Sequence, residues 1–151
     1  MQHPRTTLFA RLACAGAMAV TMLASSLALA VDTPYGHKWK TKDDETGEYK
    51  SIIEVVKVGT TVFGVVKQVL RNPDAVCSKC DGDKKDKPIK GMTIMWGLKQ
   101  DGDVWSGGTI LDPEKGKTYR CKIWMGDDGK TLTVRGYLGP FYRTQTWYRV
   151  Q

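Results

Sequence analysis

One stretch limits what this chain can become. Residues 104–124 read as two runs rich in β-branched and aromatic residues, joined by Asp112-Pro113-Glu114-Lys115-Gly116. Pro113 pre-sets a turn backbone and Gly116 supplies the positive φ that closes it. The flanking residues suit a pleated, half-buried surface. Similar run-and-turn units recur on both sides, which commits the chain to antiparallel β-structure.

The first thirty residues stand outside that pattern. Arg5 and Arg11 form a positive start, Leu12 to Leu27 is apolar or small, and Ala28-Leu29-Ala30 is an A-x-A cleavage site. The apolar run is short and no stop-transfer charges follow it, so residues 1–30 are expected to be a secretory signal peptide and not a membrane span. A lipid-anchored reading on Cys14 fails, because Arg11 occupies the place of a required aliphatic residue. Removing 30 residues from 151 leaves 121, a single domain over 31–151, and losing Arg5 and Arg11 takes the formal charge from +7 to +5. The cations are interspersed with acids, as on a solvated surface. Nucleic acid is not an expected partner, since no basic stripe with interleaved aromatics appears. The sequence leaves the oligomeric state open. The expected location is the periplasm or beyond.

In order, the runs begin near Trp39, at Tyr49 to Val58, Val62 to Leu70, Met92 to Lys99, Val104 to Leu111, Lys117 to Met125, Thr131 to Leu138 and Tyr142 to Val150. Eight short strands with short turns predict an all-β, eight-stranded antiparallel up-and-down barrel; a sandwich is the alternative. Gly64, Gly97, Gly107, Gly108 and Gly136 fall inside strands, where bulges and barrel corners place glycine. Arg71 to Gly91 is the long irregular segment, and such loops are usually functional or mobile.

No catalytic motif emerges. His37 is the one histidine after residue 30, and there is no G-x-S-x-G, no H-E-x-x-H and no phosphate loop. The expectation is a protein that is not an enzyme, with no cofactor and no metal. Asp43, Asp44, Glu45 and Glu48 read as a solvated acidic turn. Cys77-Ser78-Lys79-Cys80 admits three readings: a structural disulfide favoured in an oxidising compartment, a redox pair, and a metal site that would need two more ligands. Cys121 reads as a small buried residue of a strand.

Alternation puts Tyr119, Cys121, Ile123 and Met125 on one face and Leu132, Val134 and Gly136 on another. An eight-stranded barrel is either filled by such side chains or holds one small apolar ligand. Trp96, Tyr119, Ile123 and Val134 are the expected pocket wall. Trp39 near the start and Arg149 near the end are expected to stack across the first and last strands and close one barrel end.

Several groups of residues together resemble a known family: Gly36 to Thr41; Cys77 and Cys80; Pro88-Ile89 with Gly91; Trp105, Gly108, Ile110, Asp112-Pro113, Gly116-Lys117 and Tyr119; Leu132, Val134 to Tyr137; and Thr144 to Trp147 with Arg149. The chain resembles the exported bacterial family "domain of unknown function 2147". That resemblance implies a lipocalin-like barrel with an interior pocket for a small apolar molecule and brings no catalytic residues. The leading functional expectation is therefore non-catalytic binding of a small hydrophobic or amphipathic ligand. The rival is a cell-envelope interaction or stress-response module with a packed barrel, acting through its surface and the Cys77–Cys80 loop.

Overall fold

In a computed structural model that describes residues 32–151, the chain forms a closed barrel of eight antiparallel strands, each paired with the next and the last with the first. They are β1 (His37–Lys42), β2 (Tyr49–Val58), β3 (Thr61–Val69), β4 (Thr93–Asp101), β5 (Val104–Asp112), β6 (Lys117–Met125), β7 (Thr131–Leu138) and β8 (Phe141–Arg149). A 3-10 turn, Gly82–Lys84, interrupts the long β3–β4 loop. The signal peptide expected over residues 1–30 lies outside the described residues. Closure excludes the sandwich: β1 and β8 meet through Trp39 opposite Arg149 and Lys40 opposite Tyr148.

Turn chemistry explains the strand ends. Asp43, Asp112 and Asp128 each lead a turn, and each carboxylate accepts backbone N–H groups two and three residues on. A short acidic side chain can do this without straining the backbone. The acidic segment after β1 is thus a built turn, with Asp43 as its pivot.

Strand alternation holds until bulges interrupt it. Ile53, Val55, Val62 and Val66 are buried in β2 and β3, as are Cys121, Ile123, Leu132 and Val134 in β6 and β7. In β5, Trp105 pairs with Ile123 but Gly108 pairs with Cys121, so Ser106 and Gly107 together oppose the single residue Lys122. Gly107 takes φ +77° there, and a Cβ on Gly108 would overlap the carbonyl oxygen of Trp96. This pair bends the strand, as read from the sequence. Gly97 in β4 also has φ +77°, and β3–β4 pairing slips on both sides of Gly64. The absence of a side chain on Gly64 admits Met95, whose Cβ and Cε lie 3.1 and 3.0 Å from where a Cβ would stand.

Candidate ligand cavity

The two ends of the barrel differ. One is sealed by Trp39, Trp105, Leu98, Ile123 and Leu132, all buried. The Trp39 indole N–H donates to the Pro34 carbonyl at 2.8 Å, and Tyr35 meets Trp105 edge to face at 6.3 Å. The lead-in before β1 is therefore a plug. The Arg149 guanidinium lies 5.3 Å from the Trp39 ring centroid and donates to Asp32 at 2.6 Å. Trp39 and Arg149 are thus together at the β1–β8 seam, in cation–π geometry.

The other end holds a cavity of about 540 Å³. Val66, Ile94, Ile110, Tyr119, Val134 and Trp147 line its interior. The long β3–β4 loop adds Arg71, Asn72, Ala75, Val76 and Ile89. The Trp147 indole nitrogen is buried with no hydrogen-bond partner among the described residues.

Ion pairs collar the mouth. Asp43 accepts from Arg71 at 2.9 Å and lies 3.9 Å from Lys50, which contacts Glu114 at 2.6 Å. Arg143 donates from Nε to Asp44 at 2.7 Å, a pairing that raises the guanidinium pKa. The β1–β2 turn is so tied to the β3–β4 loop, to the β5–β6 turn through Lys50, and to β8. Each exposed pair is worth little in water. Together they set which groups surround the opening. Lys42, also on the rim, sits 5.2 Å from the Tyr49 ring and 4.8 Å from that of Tyr148.

Of the four wall residues read from the sequence, Tyr119 and Val134 line the cavity; Trp96 and Ile123 do not. Ile123 lies on the interior face but toward the sealed end, opposite Trp105. Trp96 is on the outside, half-buried, with the Lys84 ammonium 5.3 Å from its ring. The irregularity at Gly64 and the bulge at Gly97 put Met95 and Leu98 inward and Trp96 between them outward, so a period of two fails here. Ile94, Ile110, Trp147 and the rim cations were not singled out by sequence. Continuing the alternation from Gly108 would have found Ile110, and Trp147 is the β8 partner of the inward-facing Leu132.

Cys77 and Cys80 form a disulfide, and both are buried. Their loop packs on the β5–β6 turn, with Cys77 Sγ 3.1 Å from the Pro113 carbonyl oxygen. Cys121 is a buried free thiol, its pKa pushed up to about 12 by burial. His37 begins β1 beside Trp39, away from the cavity. Among the described residues no group of three or more His, Cys, Asp or Glu side chains is placed to hold a metal ion. No helix among them is long and apolar enough to cross a membrane.

A closed eight-stranded up-and-down barrel, plugged at one end and hollow at the other, is a lipocalin-like fold. The chain belongs to the family described as "Uncharacterized protein conserved in bacteria (DUF2147)", whose model matches residues 37–149. Among solved structures it is similar to a protein of the human pathogen Helicobacter pylori described as belonging to the lipocalin family. That likeness has a TM-score of 0.66 at 16% identity, over 76% of this chain and 82% of that one. At such identity the likeness speaks for the fold. A search of curated proteins finds no match in sequence.

Proposed function

We propose that this chain is an exported, non-catalytic binding protein that holds a small hydrophobic or amphipathic ligand in the open half of its barrel. The observation that carries the reading is the cavity of about 540 Å³ with an apolar interior and a charged collar. Small-molecule sites are typically concave, mostly apolar and of about 300–1,000 Å³, with a few polar groups that fix orientation. An apolar tail would lie against Val66, Ile94, Ile110, Val134 and Trp147. A polar head would remain at the mouth among Lys42, Lys50, Arg71 and Arg143. Tyr119, at the edge of both zones, suits an amphipathic molecule.

The rival module with a packed interior needs a filled barrel. The plugged half meets that description and the open half does not. Export is supported by the A-x-A segment at residues 28–30 and by the disulfide, which persists in oxidising compartments. Intact-mass measurement of protein from the producing cells checks it: a chain beginning at Val31 is expected, and one retaining residues 1–30 contradicts it.

A fluorescent fatty acid titrated into the purified protein tests the binding. Trp147 in the cavity wall should transfer excitation to the probe, and the transfer should saturate at one probe per chain. Transfer that rises without saturating, or none at all, sinks the proposal.

A further inference from the structure

The outer face of β6, β7 and β8 carries three cations that no acid answers. Arg120 lies opposite Tyr137, Lys122 opposite Arg135, and Trp124 opposite Thr133. Tyr137 in turn lies opposite Tyr142, and Arg135 opposite Thr144. These residues alternate with Cys121, Ile123, Val134 and Gly136 on the inner face, so they share the outer one. The Arg135 guanidinium is 5.1 Å from the Trp124 ring centroid and 4.5 Å from that of Tyr142, and its Nε donates to Thr144 at 2.8 Å. None of Arg120, Lys122 and Arg135 takes part in an ion pair among the described residues. Lys122 and Arg135 face each other directly, and like charges so placed destabilise a sheet.

This face runs into the β7–β8 turn, Gly139-Pro140. Leu138, Phe141 and Tyr142 flank that turn and are 58%, 76% and 61% exposed. All three also stand at the cavity mouth.

We propose that this basic face and apolar turn dock on an anionic phospholipid bilayer. Charge complementarity selects a negative partner. The apolar tip selects a fluid surface with an apolar interior: a polysaccharide or nucleic acid has nothing to receive Phe141 and Leu138. Aromatic rings beside cations suit the headgroup boundary, where an amphipathic ring is half wet and half buried. Docked this way, the barrel presents its mouth to the membrane. The inference goes beyond the ligand reading and does not need it, because docking is measured on protein without added ligand.

Sedimentation with vesicles tests it. With phosphatidylglycerol–phosphatidylethanolamine vesicles at low salt, the protein should partition about tenfold or more better than with pure phosphatidylcholine, and high salt should abolish the difference. Lys122→Gln and Arg120→Gln should each weaken partition about fivefold. Lys122→Gln removes a repulsion, so its Tm should stay or rise, which separates lost docking from lost folding. Phe141→Ser should weaken partition by about tenfold. Equal partition to both vesicle types, partition to neither, or wild-type partition by Phe141→Ser each overturns the proposal. A wild-type dimer that Phe141→Ser converts to monomer also overturns it, by making a second copy the occupant.

Discussion

Gly116 lies so close to Lys79 that a Cβ built on the glycine would overlap the Lys79 carbonyl. The β5–β6 turn and the disulfide loop are therefore one packed unit, although 36 residues separate Cys77 from Pro113 where they touch. Gly116 also holds φ +66°, which strains any L side chain. Gly116→Ala should lower stability by about 2 kcal/mol or more through strain and displaced loop together. Urea unfolding followed by tryptophan fluorescence measures it. Loss near zero would mean the loop does not bear on the turn.

The cavity and the plugged half should respond differently to mutation. Val134→Phe puts bulk into open space, so it should weaken fatty-acid binding about tenfold or more while Tm stays near wild type. Ile123→Val shortens a fully buried side chain that does not line the cavity. It should cost about 1 kcal/mol in stability and leave binding unchanged. Titration and thermal melts on both variants check the contrast.

The disulfide closes a short ring, with a sequence separation of 3. Chain-entropy reasoning gives it roughly 2 kcal/mol. Replacing both cysteines with alanine should therefore lower Tm by several degrees and speed amide exchange in 72–91, while the barrel circular dichroism spectrum persists. A collapse of the whole barrel would show that the loop is part of its core.

Asp43 titrates below the usual carboxylate range because it accepts the N–H groups of Thr46 and Glu45, with Lys50 and Arg71 adding to the effect. A carboxyl whose folded pKa is depressed contributes stability above its unfolded value of about 3.9, and that contribution disappears as pH falls through the lower folded value. Asp43→Asn lacks this titration but keeps an acceptor for the turn. The stability gap between wild type and variant should be constant from neutrality to about pH 4 and narrow below it. Denaturant midpoints at several pH values read this directly.

Burial that lifts Cys121 to about 12 leaves almost no thiolate at neutral pH. Peptide mapping should find Cys121 unmodified by a thiol reagent in native protein and fully modified in guanidinium. Native labelling within minutes would mean the barrel opens there readily.

Much of this architecture is legible in the sequence because antiparallel neighbours are also chain neighbours. Each strand announces itself by its own turn, and β2, β6 and β7 have the bounds read from residues alone. Tyr119 and Val134 could be read as inward because β6 and β7 alternate without interruption. Trp96 could not, since the phase of β4 is reset by irregular pairing and by Gly97. The collar was illegible for another reason. Arg143 and Asp44 are 99 residues apart, and no local pattern pairs them.

The β1–β8 seam has a kinetic meaning. Every other strand pair closes a short connection, apart from the loop between β3 and β4. The seam must bring Trp39 to Arg149 across nearly the whole chain, and it is short: two registered residue pairs and the Val150 N–H donating to the Lys38 carbonyl. Loop-closure entropy makes such a contact late to form. The barrel should thus assemble as a growing curled sheet and shut last at Trp39 and Arg149. The lead-in Pro34-Tyr35, whose carbonyl at Pro34 takes the Trp39 indole N–H, then acts as the latch of a finished cylinder.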